Sequence, residues 1–414
     1  MNSALAALIG LTLSIVLIIK KIPPVFSLML GAIIGGLSAG WGLPSTAEAM
    51  FNGVKDMVPA IVRVLSAGVL SGMLIVTGAA ESIAQNFIRT LGEKRVFLAL
   101  ALSAMLLTAI GVFVDVAIIT VAPVALSIAA RSGISHTKLL IAMIGGGKCG
   151  NIISPNPNTI IAAQNFDVPL QQVMFANIIP AIIGLAFTLL VIRIVPSSNS
   201  ATPLSPTDDD KKLPSFGASI AGPALAIGLL ALRPLTGIDI DPLLALPAGG
   251  LLGLVTTRSW SRLRESLTYG LNTMSGIAVL LIGTGTIAGV IKASVIKDVI
   301  VTLFAGWSGG GILLAPITGA LMSAATASAT AGATIASASF SEAILASGVS
   351  NISGAAMINA STTIFSHLPH GALFHATGGC MGMPVGQRMK LIPYETLIGL
   401  VLTISSVLCC IVGF

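Results

Sequence analysis

Residues 142–166 read "AMIGGGKCGNIISPNPNTIIAAQNF", and the break inside this apolar stretch decides the fold. A run suited to a helix meets "SPNPN" at 154–158. A proline within a helix removes a backbone hydrogen bond and clashes with the preceding turn. Pro155 and Pro157 together therefore predict a stop near residue 153 and a new helix near Thr159. At membrane depth, freed backbone groups are tolerated only when buried in protein or lining a watery cavity. Asn156, Asn158 and Thr159 supply side-chain donors and acceptors at that spot. The N-terminus of the new helix also directs a partial positive charge at the gap. The expectation is a polar, anion-friendly pocket within the bilayer. The plainer alternatives are a proline kink with Asn caps or a loop at the membrane surface.

The rest of the chain supplies the bilayer context. Of 414 residues, 55% are hydrophobic and 9% are charged, whereas soluble domains carry about a quarter charged residues. Apolar stretches of roughly 16–25 residues recur, the length a helix needs to cross a bilayer core. The composition therefore indicates an all-α polytopic membrane protein. A β-barrel is disfavoured, because the stretches are continuously apolar and do not alternate with period two. The net charge of +6 is no nucleic-acid signal, since the Lys and Arg residues fall in short loops, as membrane topology places them. Cys149, Cys380, Cys409 and Cys410 show no CxxC or Cys/His metal spacing, so no metal or cofactor is expected. The first 20 residues lack a basic leader region and run into Lys20 and Lys21, which reads as a retained membrane helix. "GGGKCG" (145–150) formally satisfies GxGxxG but has no βαβ context, and Cys149 breaks a Walker A pattern. Lys148 is left as a cation near the pocket or a side chain snorkelling to the interface.

Candidate apolar segments are 4–19, 24–41, 58–80, 96–113, 115–130, 139–153, 159–165 and 173–195, then 216–235, 242–257, 271–291, 299–305, 311–325, 331–346, 354–365, 371–382 and 391–413. A polar linker, 196–215, separates a first membrane repeat, 1–195, from a second, 216–414, and is expected on the cytoplasmic side. "NIISPNPNTIIAA" (151–163) lies over "TIFSHLPHGALFH" (363–375) without a gap, matching Ser154 to Ser366 and Pro157 to Pro369. "VFVDVAIIT" (112–120) falls near "ATASATAGAT" (325–334) at almost the same offset. A duplication of this size points to a transporter built from two structural copies. Lys20 and Lys21 follow the first helix of one half, whereas Arg258, Arg262 and Arg264 follow the second helix of the other. If basic loops face the cytoplasm, the copies enter from opposite sides. Lys55, Arg63 and Arg233 blur that count.

The second copy of the break, "FSHLPHGALFHA" (365–376), carries Pro369 and Gly371 as helix breakers and adds His367 and His370. Histidine changes charge near neutral pH and suits proton coupling; a neutral hydrogen-bonding role is the alternative. Asp115, in "AIGVFVDVAIITVAP", has no charge near it along the chain. An ionisable group inside a membrane segment is costly and signals function, here as proton acceptor, cation ligand or acceptor for a substrate hydroxyl. "SAATASATAGATIASAS" (323–339) consists almost entirely of small residues, which permit close helix packing and close backbone approach to a solute. Ser328 and Thr330, opposite Asp115 in the repeat, are the contact candidates.

With "FVDVAIITVAPVALSIAARSGIS" (113–135), "SPNPNT" (154–159), "FSHLPHG" (365–371) and "YETLIGLVLTI" (394–404) in view, the chain resembles the gluconate permease (GntP) family of the ion-transporter superfamily. The resemblance runs over essentially the whole length. It departs from the family pattern at Val114-Asp115, where an aromatic–acid pair is usual, and after His367, where an acidic group is missing. The resemblance implies two inverted-topology repeats, each with a re-entrant hairpin and a broken transmembrane helix. Their tips would lie near 113–117, 154–159, 326–332 and 366–371 and meet near the bilayer centre. It further implies proton-coupled symport of a gluconate-like sugar acid, hydroxy acid or D-serine across the bacterial inner membrane, by a homodimer that moves a transport domain against a scaffold. The substrate-binding set expected is Lys148, Asn156, Asn158, Thr159, Ser328, Thr330, Ser366, His367, His370 and Gly371. Asp115, His367 or His370 would carry the proton. A sodium-coupled di- or tricarboxylate carrier and an uncoupled organic-anion channel are the alternatives. An intramembrane enzyme is disfavoured, because no HExxH is present.

Overall fold

Segments that are apolar on every side have no face to offer water, and in a bilayer they satisfy their backbone only as helices. The computed structural model describes residues 3–92, 95–198, 212–232, 236–238, 240–295 and 310–413, and every regular element among them is helical. The first half runs α1 (Ser3–Ile19), α2 (Pro24–Ser38), α3 (Leu43–Val76), α4 (Ala79–Leu91), α5 (Val96–Ala109), α6 (Val114–Ser132), α7 (His136–Asn151), α8 (Pro157–Asn165), α9 (Leu170–Ala176) and α10 (Ile178–Ile194). The second half runs α11 (Phe216–Leu230), α12 (Pro242–Thr256), α13 (Leu263–Ala293), α14 (Leu314–Thr326), α15 (Ala329–Ala346), α16 (Asn351–Ser361), α17 (Ala372–Cys380), α18 (Val385–Met389) and α19 (Ile392–Val412). The expected segment at 299–305, Arg233 and most of the linker, 199–211, lie outside the described residues.

Three spans are long and apolar enough to cross a membrane as single helices: Leu43–Val76, Trp260–Ala293 and Val385–Val412. The α9–α10 pair qualifies together, bent by 41°. Shorter apolar helices of 10–17 residues, α1, α2, α5, α11 and α12 among them, pack around these. Phe26, Phe51, Ile182, Leu244, Leu271 and Ile404 stand exposed on the outside. Apolar surface of that kind suits a lipid environment.

The central pair, α3 and α13, differs from the expectation. Apolarity marks 58–80 as one segment, but α3 begins at Leu43 and stops at Val76, and α4 starts separately after Gly78. Gly78 sits at φ 77°, the left-handed conformation glycine adopts without penalty. At 34 residues, α3 extends about 51 Å at 1.5 Å per residue, well beyond a bilayer core of about 30 Å. Of its charged residues, Glu48, Lys55 and Asp56 fall in its N-terminal half. It packs against α13 backbone to backbone: a methyl at Gly53 would fall 2.0 Å from the Gly285 carbonyl oxygen. This contact fixes α13, whose middle supplies one wall of the site.

Candidate functional site

The break between α7 and α8 starts earlier than the prolines alone predict. Helix α7 ends at Asn151, and α8 begins at Pro157 rather than Thr159. Proline is tolerated at a first helical position because its missing N–H has no partner there anyway. Asn156 caps the new helix, its Oδ1 accepting from Thr159 N at 3.1 Å and from Thr159 Oγ1 at 3.3 Å. Its Nδ2 donates back to Asn151 O at 2.8 Å and Asn151 Oδ1 at 2.7 Å. From the other half, Asn359 Nδ2 donates to Ile152 O at 3.0 Å and to Thr159 Oγ1 at 3.1 Å. Asparagine side chains thus give partners to Asn151 O, Ile152 O and Thr159 N at this buried break.

The second break joins α16 to α17 through residues 362–371, and Gly371 is the N-cap of α17. Gly371 packs against Ala327, the turn between α14 and α15: a methyl on Gly371 would lie 2.3 Å from Ala327 O. Ala327 holds φ 46° and ψ 38°, a strained setting for a residue with a Cβ. Such strain collects at sites where surrounding structure enforces it. Ser328 then caps α15, its Oγ accepting from Ala331 N at 3.2 Å.

These segments line an open cavity of about 480 Å³. Asp115 and Val116 line it from the start of α6, Lys148 and Asn151 from the end of α7, and Asn158 from α8. Thr326, Ser328 and Thr330 contribute from the α14–α15 turn, Thr363, Ser366, His370 and Gly371 from the second break, and Thr273, Gly276, Ile277 and Leu280 from α13. Of the residues singled out in the sequence, Asp115, Lys148, Asn158, Ser328, Thr330, Ser366, His370 and Gly371 therefore face one space. Asn156, Thr159 and His367 do not line it: the first two hold the α8 cap together, and His367 stands behind the wall. Asp115 accepts from Val116 N at 3.0 Å and forms no ion pair among the described residues. His370 Nε2 lies 3.2 Å from Ala324 O.

Behind the wall is a cluster of buried charge. Lys148 is 1% exposed, and its Nζ contacts Thr363 O at 2.7 Å, Glu395 O at 2.9 Å and His367 Nδ1 at 3.0 Å. Lys148 is thus enclosed by protein and does not reach an interface. The Glu395 carboxylate pairs with the Arg388 guanidinium, and both are buried. Arg388 also donates from Nε to Thr377 Oγ1 at 3.2 Å and lies 4.9 Å over the Phe374 ring.

The GntP family permease profile matches residues 3–242, more than half of the chain. The chain belongs to the GntP permease family. It is 48% identical over 411 residues to an uncharacterized transporter of Haemophilus influenzae, covering 98% of this chain and 97% of that one. It is 27% identical to the gluconate permease of Pseudomonas aeruginosa, over 79% of this chain and 78% of that one. Among solved structures, the YdaH transporter of Alcanivorax borkumensis superposes with a TM-score of 0.64 at 17% identity, covering 90% of this chain and 88% of that one. The family's members are permeases and transporters, not enzymes, and this GntP-family permease is a multi-pass protein of the bacterial inner membrane.

Several cavity or supporting residues of this GntP-family permease escape a reading of the sequence. Thr273 and Gly276 sit near the start of the expected apolar segment 271–291, beside Asn272 and Ser275, where small polar residues read as an ordinary helix end. The Arg388–Glu395 pair escapes that reading as well. Seven residues apart, Arg388 just before and Glu395 just inside the expected segment 391–413, they resemble ordinary interfacial residues.

Proposed function

We propose that this permease is a proton-coupled symporter of a small organic anion, a gluconate-like sugar acid or hydroxy acid. The reading rests on one observation above all: residues beside four interruptions of the chain, two from each half, bring polar side chains to the wall of one largely apolar cavity. Lys148 offers a positive charge at its wall, and the N-termini of α8 and α17 direct partial positive charge toward it. Asn158, Ser328, Thr330 and Ser366 present hydrogen-bonding groups suited to hydroxyls. Asp115 and His370 face the same space and are the proton carriers of this reading.

Among the described residues, each half carries in the same order a helix pair, a long helix, a helical hairpin, a broken helix, a short helix and a closing helix, with α4 added between the long helix and the hairpin of the first half. We infer two repeats of one unit, 1–195 and 216–414, inserted with opposite topology and joined by a cytoplasmic linker. The α5–α6 and α14–α15 pairs act as re-entrant hairpins. A homodimer in which these tips move against α3 and α13 would give alternating access.

Uptake of labelled gluconate, glycerate and lactate into proteoliposomes tests the reading under an imposed pH gradient, and separately under a sodium gradient. Accumulation driven by the pH gradient is expected. Accumulation driven by sodium alone would instead favour a sodium-coupled carrier, and flux that only equilibrates would favour a channel.

A further inference from the structure

His367 was singled out in the sequence as a proton carrier, and its surroundings assign it other work. Its ring is fully buried. Nε2 lies 3.2 Å from Ile392 O and 3.1 Å from Thr396 Oγ1. A carbonyl oxygen cannot donate, so Nε2 carries the ring proton and Nδ1 is left as an acceptor. That acceptor points at Lys148 Nζ, 3.0 Å away. With Thr363 O and Glu395 O, it completes three acceptors around one nitrogen. Three acceptors match the three N–H groups of an ammonium.

The charges around this ring come from three elements. Lys148 is on α7, Arg388 on α18 and Glu395 on α19. The carboxylate of Glu395 is taken by Arg388, so the cluster retains one unmatched positive charge, on Lys148 at the cavity wall. A protonated His367 would set a second cation against that ammonium and would surrender the acceptor that holds it. We propose that His367 is a positioning residue: its neutral ring, protonated at Nε2, fixes the Lys148 ammonium as the positive wall of the cavity and does not carry the coupled proton. Its transport consequence rests on the anion-symport reading, whereas its tautomer and charge do not.

The test is nitrogen NMR on full-length protein labelled with ¹⁵N-histidine in lipid nanodiscs. The chain has only four histidines, so the His367 signals are assigned by their loss in His367→Asn. The Nε2–H tautomer is expected throughout about pH 5 to 8, with a hydrogen-bonded Nδ1 whose resonance moves in Lys148→Met. An imidazolium appearing in that range, an Nδ1–H tautomer, or an Nδ1 signal indifferent to Lys148→Met would each overturn the proposal. In gluconate uptake, His367→Leu is expected to raise KM roughly tenfold or more, the loss of a hydrogen bond to a charged group. His367→Asn, which keeps an acceptor near the Nδ1 position, recovers most of that loss and keeps the wild-type pH profile. A pH profile flattened equally in both variants would return His367 to the coupling step. Absence of gluconate uptake by the wild type would count against the transport reading alone, and the NMR outcome would still decide the role of the ring.

Discussion

Thr330 Oγ1 donates a 2.6 Å hydrogen bond to Asn158 Oδ1, joining residues 172 positions apart. One sits in the first turn of α15 and the other in the first turn of α8, so the bond ties the two halves together at the cavity wall. Asn158 is nearly fully buried. Thr330→Val leaves its carbonyl oxygen without that donor, and an unpaired buried acceptor costs about 1–3 kcal/mol. The expected result is a lowered thermal midpoint and weaker uptake affinity, with Thr330→Ser close to wild type. A Thr330→Val protein with unchanged midpoint and KM would show that the bond contributes nothing.

Gly371 and Ala327 form the matching contact within the second half. Because a methyl at 371 would meet the Ala327 backbone oxygen at 2.3 Å, and backbone cannot swing aside as a flexible side chain does, Gly371→Ala must displace one of the two tips. Overpacking of this kind costs typically 1–3 kcal/mol. The variant is expected in the membrane at near-normal abundance with uptake strongly reduced, since a displacement of about 1 Å in a binding constellation is enough to cost function. Immunoblotting of membranes and uptake in the same cells measure both quantities.

Asp115 faces the cavity at the start of α6 and has no cationic partner among the described residues. A carboxyl so placed can take up and release a proton without breaking an ion pair. Asp115→Asn removes the titration while keeping shape and hydrogen bonding. Uptake driven by a pH gradient should disappear in this variant, while exchange of labelled for unlabelled substrate across the membrane persists. Full accumulation against a gradient in Asp115→Asn would remove this residue from coupling.

The breaks at 154–158 and 366–371 were legible because proline and glycine act locally: their effect on a helix does not depend on what packs nearby. Asp115 and Lys148 were legible because charge is rare in a chain with 9% charged residues. Which polar residues face the cavity was not legible. Asn156 and Asn158 are two positions apart in one motif, yet one caps a helix and the other lines the space. That division is set by the turn of α8 and by Thr330 arriving from the other half. The extents of α3 and α13 were also hidden, because their first turns are polar and a search for apolar runs passes over them. The role of His367 depends on Lys148, more than two hundred positions away, and no local pattern records that contact.

Arg63, on α3, binds three elements together at the far end of α8. Its Nη2 lies 2.6 Å from Asp241 Oδ2, and its Nη1 donates to Gln164 near the α8 C-terminus. Asp241 also caps α12, accepting from Leu243 N at 2.8 Å. Partial burial pushes the Asp241 carboxyl up, but the Arg63 hydrogen bonds, the Leu243 N–H and the Arg63 charge outweigh it and hold the group below its ordinary range. A carboxylate so lowered contributes stability that is fully present above its unfolded pKa, about 3.9, and lost as pH falls through the folded value. Both side chains are partly exposed, so the contribution is of the order of an exposed pair, up to about 1 kcal/mol. Asp241→Asn should therefore lower the thermal midpoint at neutral pH, and the two melting curves should converge below about pH 4 as the wild-type carboxyl protonates. A difference that stays constant down to pH values well below that range would mean that the ion pair is not its source.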